Sequence, residues 1–283
     1  MCKIYELSQR ANINIKRIKR NHDYSYVAIY EDHRTILNVL YFLKTNIVFG
    51  IEFPIDLFMF DNHADNCPPS EDKLNKIKRY GRNLPSINTF WNFTEFDLNC
   101  SDDDWVKTGM QLGFINNVFL FHSTQSGITN VEEYQTRFGT KKIYNLSEVW
   151  NAMSILDYNT IGFEELREDI GWVFIESEGR FEFQPKNNFI LDFDLDCFTT
   201  TLSDGITEIP ETKAFPEDIL IQRFMEKLEH CSFYNSVSFV KELIEKSKMT
   251  TMCFENTYCG GIRESMKIFN TVDYLFFDGQ IGS

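Results

Sequence analysis

The stretch Ile55-Asp56-Leu57-Phe58-Met59-Phe60-Asp61-Asn62-His63-Ala64-Asp65 runs from an almost unbroken apolar segment straight into three potential metal ligands at alternate positions. A similar arrangement returns at Phe189-Ile190-Leu191-Asp192-Phe193-Asp194-Leu195-Asp196. Short apolar runs of this kind are expected of strands buried on both faces, as in a parallel sheet. Working outward, Tyr26–Tyr30, Asn117–Phe121, Trp172–Ile175, Thr251–Phe254 and Tyr274–Phe277 read as further strands. Helical patterns lie between them. Ile36, Val39, Leu40 and Leu43 share one face, as do Trp105, Met110 and Leu112 behind the capping pattern Ser101-x-x-Asp104. Phe215–Leu228, with Pro216 near its start, Asn235–Lys246 and Gly261–Phe269 complete the set. Strand alternating with helix over residues 1–283 predicts one α/β domain with a mainly parallel sheet. The polar stretch Cys67–Leu84 reads as a surface loop plus a short helix, and the alternating run Lys16–Arg20 as an exposed strand.

Composition narrows the function classes. Hydrophobic residues make up 43% of the 283 positions, with 27 phenylalanines, which excludes a disordered chain. The net charge of −14 argues against a nucleic-acid partner, which would need basic surface. The most apolar region, Ile36–Phe60, is interrupted by Lys44, Glu52 and Asp56, so no membrane span is expected. Seven cysteines, an odd number without a CxxC pair, follow a start that lacks an apolar leader core. Reduced thiols and a cytoplasmic location are the expectation. Cys67 and Cys197, beside candidate ligands, read as buried thiols without a paired base.

In open parallel sheets, ligands bind beyond the carboxyl ends of the strands. The polar residues that directly follow the apolar runs therefore carry the chemistry. His33 follows the first, Asp61, His63 and Asp65 the second, His122 the third, Asp194 and Asp196 the fifth, and Glu255 the sixth. Either acidic motif alone is unspecific, because acidic residues are common in turns. Together, each after a buried-type strand, they would crowd carboxylates whose repulsion only cations relieve. Oxygen-rich ligands with one or two imidazoles suit Mn²⁺ or another borderline divalent ion. Five or six such ligands exceed the needs of one ion, so two ions bridged by carboxylates are expected. Asp192 is expected to face the other side of its strand in a structural hydrogen bond. His22 and His230 read as solvated.

Asp61-Asn62-His63-Ala64-Asp65 resembles the DAHxD signature of the ureohydrolases (arginase, agmatinase), whose fold the histone deacetylases share. Asp194-Leu195-Asp196 resembles their second DxD motif, and Glu31-Asp32-His33 the segment that supplies a further metal-binding histidine. The spelling Leu191-Asp192-Phe193-Asp194-Leu195-Asp196-Cys197-Phe198 is closer to a divergent branch that includes peptide arginases, which convert arginine residues of ribosomally made peptides to ornithine. The resemblance covers the motif blocks in order, not the loops between them. It implies a three-layer arginase/deacetylase-like fold and two Mn²⁺ ions. His33, Asp61, Asp65 and Asp194 would hold one ion, and Asp61, His63, Asp194 and Asp196 the other. It further implies that Asp65 is catalytic and that Glu255 reads the guanidinium without holding metal. His122 is a candidate proton shuttle or substrate contact.

The departures from the family point to the substrate. Tyr30 and Glu31 stand where the family has glycines, and Phe198-Thr199-Thr200 replaces the DP after the second motif. The serine- and histidine-containing loop that grips the α-amino acid end of free arginine is replaced by Asn66-Cys67-Pro68-Pro69-Ser70. An arginine-containing precursor peptide is therefore the expected partner, with the loops Cys67–Leu84 and Ser123–Asn130 available to contact it. Two other readings stand beside this one. A deacetylase-type amide hydrolase would use one zinc and fewer acidic ligands. A non-catalytic peptide-binding relic would have lost ligands that this chain keeps.

Overall fold

The computed structural model describes residues 13–20, 24–46, 50–63, 65–98, 104–122, 130–146, 168–175, 180–202, 211–225 and 236–282. In chain order the elements are β1 (Asn14–Lys19), β2 (Tyr24–Tyr30), α1 (Ile36–Thr45), β3 (Ile55–Asp61), α2 (Glu71–Arg82), α3 (Ile87–Phe96), α4 (Trp105–Leu112) and β4 (Ile115–His122). There follow β5 (Asn130–Thr136), β6 (Gly139–Leu146), β7 (Trp172–Ile175), β8 (Arg180–Phe183), β9 (Phe189–Asp194), β10 (Thr199–Leu202) and β11 (Glu211–Ala214). The chain continues with α5 (Glu217–Met225), α6 (Ser236–Lys246), β12 (Thr250–Cys253) and α7 (Ile262–Phe277).

Eight strands form one sheet in the order β1-β2-β12-β9-β3-β4-β6-β5. The six inner strands pair in parallel, and β1 and β5 close the edges antiparallel. Alternation along each strand explains the layers. Phe58 and Phe60 of β3, with Leu191 and Phe193 of β9, face a core completed by Phe224 of α5, Val240 of α6 and Val272 of α7. Leu57 and Met59, with Ile190 and Cys253, face the opposite core, built with Leu40 of α1, Phe93 of α3 and Trp105 of α4. Helices on both faces of a mainly parallel sheet give the three-layer α/β architecture expected from the sequence. No helix among the described residues is long and apolar enough to cross a membrane.

Several expectations need correction. Tyr274–Phe277 is the end of α7, not a strand. Its aromatic run continues the buried helical arc of Ile268, Phe269 and Val272, while Tyr274 points outward. Trp172–Ile175 is a strand, but it pairs with β8 in a hairpin outside the central sheet. Strand β5, at the sheet edge, and β6 beside it carry mostly polar residues and lack the apolar signature. Cys67 is exposed, whereas Cys197 is buried as expected. The run from Lys16 lies on edge strand β1, in keeping with its alternation. Asp104 is the N-cap of α4, but its side chain accepts from Lys73 Nζ at 2.8 Å instead of making a capping bond. Its partner Ser101 lies outside the described residues, as do Ala64, His22, His230 and residues 123–129.

Phe58 tests the core far from the strand ends. Its ring lies 4.8 Å from those of both Phe119 and Phe189, with no exposed surface to relax into. Phe58→Ala should cost about 3–5 kcal/mol in urea unfolding, with an unchanged denaturant slope.

Candidate metal centre

Parallel register brings the chemistry to one level. Cys253 of β12 stands opposite both Tyr30 of β2 and Asp194 of β9, and Phe60 of β3 opposite Phe193. The carboxyl ends of four neighbouring strands therefore coincide, and the residues that end or follow them converge. His33 opens a turn of 3-10 helix (His33–Thr35) between β2 and α1. Asp61 ends β3 and Asp194 ends β9, and Asp196 sits in the 3-10 turn Leu195–Phe198. Glu255 follows β12. Asp65 and Glu255 adopt left-handed backbone, at φ +43° and +35°. For non-glycine residues that conformation is uncommon and costs of order 1 kcal/mol or more, and such strain gathers at functional sites. The turn after Glu255 passes close beneath another segment. Gly260, at φ +84°, would place a Cβ 2.0 Å from the Thr212 carbonyl oxygen, which excludes any side chain there.

One rule orders the three central aspartates. Each spends Oδ1 on a backbone N–H: Asp61 accepts from His63 (2.6 Å), Asp194 from Asp196 (3.2 Å) and Asp196 from Asn62 (3.2 Å). The Oδ2 atoms of all three are buried and accept no hydrogen bond, and His33 Nδ1 has none either. His33 Nδ1 lies 3.5 Å from Asp61 Oδ2, 3.0 Å from Asp65 Oδ2 and 3.1 Å from Asp194 Oδ2. On the far side of Asp61, His63 Nδ1 is 2.8 Å from Asp196 Oδ2.

Asp192 decides which nitrogen of His33 is available. Its Oδ1 accepts from Tyr30 Oη (3.2 Å) and from the Thr251 hydroxyl. Its Oδ2 lies 2.6 Å from His33 Nε2, an anchor that leaves Nδ1 facing the other aspartates, where a cation that displaced its proton would find the lone pair. A carboxylate holding the outer nitrogen of a metal-binding imidazole is a recurrent arrangement. The expectation that Asp192 faces the other side of the strand is overturned. Residues two apart on a strand share a face, and both Asp192 and Asp194 reach His33. The expected hydrogen-bonding role is met, with His33 as its object.

Among the described residues three ligand groupings result: His33 with Asp61 and Asp65, His33 with Asp194 and Glu255, and Asp61 with His63 and Asp196. The atoms of each lie within 4.8 Å of one another, so this buried His/Asp cluster can hold a metal ion. Asp61 and His33 each belong to two of these groupings. Asp194 groups with the His33 side, and Glu255 stands within ligand reach, closer to the cluster than a purely substrate-reading role requires. His122 ends β4 opposite Asp61 in the parallel register, and its side chain lies outside the described part of the structure. Sequence reading missed Trp105 as a site residue. Its indole N–H donates to Asp65 Oδ2 at 2.6 Å, and its ring packs 4.7 Å from that of His33. It also missed Tyr258, whose ring meets His63 edge-on at 5.0 Å where His63 is 45% exposed.

The charge balance explains why cations fit. Two carboxylates about 4 Å apart repel by about 4 kcal/mol even at an effective dielectric of 20. Burial and the charges of Asp65, Asp194 and Asp196 push Asp61 well above the carboxylate range. Burial and Asp196 raise Asp194 to about 7, and burial and Asp194 raise Glu255 to about 10. For His33, burial opposes charging, but Asp192 and the neighbouring carboxylates outweigh it and raise its pKa. A divalent ion bound here would take the place of these protons and offset the crowded negative charge. No protein-family model matches this chain, and no curated protein matches it either.

The pH dependence of the metal-free protein follows. Asp194 releases its proton near pH 4 when unfolded but near 7 when folded. Its contribution is thus most favourable below pH 4 and is lost as pH rises to 7. Metal-free Asp194→Asn should therefore gain stability relative to metal-free wild type between pH 4 and 7. The difference should level off above that, as read by chemical unfolding at each pH. A difference that stays flat would show that Asp194 is not held protonated by its neighbours.

Proposed function

We propose that the chain is a binuclear metal-dependent hydrolase that converts arginine residues of a peptide to ornithine with release of urea. The observation that carries this reading is the convergence of the Oδ2 atoms of Asp61, Asp194 and Asp196 on His33 and His63, each held by its own backbone or side-chain bond. His33, Asp61, Asp65 and Asp194 would hold one Mn²⁺, and Asp61, His63, Asp194 and Asp196 the other. Bound there, the ions would make water acidic enough to supply hydroxide near neutral pH and would stabilise the negative charge developing on attack.

The chain's own residues do the rest. Asp192 fixes the His33 tautomer. Glu255, 6% exposed, presents a carboxylate that accepts paired hydrogen bonds from a guanidinium, whose positive charge offsets the burial of the acid. Asp65 orients the attacking water and passes its proton to the leaving side-chain nitrogen. The bond between that nitrogen and the guanidino carbon breaks, leaving ornithine and urea. His122 is the second candidate to carry the proton.

A peptide substrate is favoured over free arginine on three grounds. Asn66–Ser70 offers no loop to satisfy a free α-amine and α-carboxylate, and burying those charges unpaired would cost several kcal/mol. The half-exposed His63 opens the cluster to solvent at one side, which suits a long side chain inserted from a backbone that stays outside. The charge of −14 assists encounter with a cationic peptide, within the screening of salt. The crowd of buried carboxylates disfavours the one-zinc amide hydrolase, and the intact ligand set disfavours a non-catalytic relic.

Mass spectrometry of arginine peptides incubated with protein and Mn²⁺ should show a loss of ~42 Da per arginine, the cyanamide unit formally removed in this two-metal hydrolysis. Parallel kinetics on free arginine, agmatine and an arginine peptide should place the peptide first. Faster turnover of either small molecule would reject the peptide assignment. Glu255→Gln should keep two metal equivalents and lose most turnover. Loss of one metal equivalent instead would make Glu255 a ligand.

A further inference from the structure

Three consecutive residues of α4 grip the segment that carries Asp65. Trp105 Nε1 donates to Asp65 Oδ2 at 2.6 Å, and the Val106 N–H donates to the Asp65 carbonyl at 3.3 Å. Lys107 Nζ pairs with Glu132 of edge strand β5, whose second oxygen accepts from Asn66 Nδ2 at 2.7 Å. The gripped residue is the one at φ +43°, a conformation that needs outside support to persist. Trp105 is fully buried, and its ring also lies 4.7 Å from that of His33 at a 49° tilt. One indole therefore touches two ligands of the same grouping. Its N–H occupies one lone pair of the oxygen that stands 3.0 Å from His33 Nδ1. The direction of the remaining lone pair is thereby set.

We propose that Trp105 is a positioning residue, whose indole N–H holds the Asp65 carboxylate in the orientation that lets Asp65 and His33 Nδ1 share one cation. This rests on the metal reading of the site and is independent of which substrate is hydrolysed. Phenylalanine would keep the ring against His33 and remove only the N–H, so the Trp105→Phe change isolates the hydrogen bond.

A double-mutant cycle on the full chain tests it, with Mn²⁺ affinity read by calorimetry. Trp105→Phe should weaken the His33-side ion by roughly 10- to 100-fold, the usual cost of losing a bond that orients a ligand. In an Asp65→Asn background the same change should matter by no more than about twofold, because the residue it acts through no longer carries the charge. Equal losses in both backgrounds would make Trp105 merely a packing residue and overturn the proposal. A second measurement needs no change at Trp105. Of the four tryptophans in the chain, one should show its indole N–H resonance far downfield in the metal-free wild type and shifted upfield in Asp65→Asn. Four unmoved resonances would overturn the proposal even if Trp105→Phe failed to fold. Wild type that binds no divalent ion would remove the metal reading together with it, whereas metal binding with an additive cycle would remove this proposal alone.

Discussion

Acceptor atoms facing acceptor atoms are the constraint on which the rest of the structure depends. Asp61, Asp194 and Asp196 each present one oxygen to a shared, buried space, beside His33 Nδ1. The fold could have relieved this by giving each oxygen a donor. Instead the backbone N–H groups of Asn62, His63 and Asp196 take the outer oxygens, so that the inner ones stay free. Those bonds come from the turns that end β3 and β9, and the arrangement therefore exists only where two parallel strands finish at the same height.

The height is set by packing of a different chemical kind. One residue before each terminal aspartate, Phe60 and Phe193 stack face to face at 5.1 Å, within a cluster that also holds Phe121 and Phe276. Sliding β9 by one residue against β3 would turn its aromatic side toward Asp192's neighbours and its acids into the phenylalanine core. The apolar face thus fixes the register that aligns the polar one. Around the cluster, Tyr30, Thr251 and Asp192 hold His33 from below, while α4 holds Asp65 from the side.

Much of this was legible in the chain. Apolar runs that stop abruptly at Asp61 and Asp194 announce parallel strands, and the alternate spacing of ligands places them on one rim. Residues whose partners are local or follow strand period, such as His63 beside Asp61, could be read directly. Trp105 could not. Its role depends on where α4 packs, forty positions after Asp65, and in sequence it is one more apolar residue on a helical face. Strand β5 was hidden because an edge strand needs little apolar character, and β6 because its polar residues mask its period. The helical end of α7 was hidden because Tyr274-Leu275-Phe276-Phe277 satisfies strand and helix patterns alike. Asp192 shares the site-facing side of its strand with Asp194, as residues two apart must.

The left-handed backbone at Asp65 and Glu255 has a consequence for how such a protein can change over generations. Both positions hold a side chain where the backbone is suited to glycine, and an acid in a crowded acidic space. At Glu255, drift toward a small neutral residue would make the metal-free chain sturdier, whereas at Asp65 it would relax the backbone but strip the buried Trp105 N–H of its acceptor. At Glu255 only selection for the chemistry opposes that slope. Glu255 is therefore where a lineage released from its substrate would be expected to decay first, and where it would decay without losing its fold, while Trp105 would hold Asp65 in place for longer.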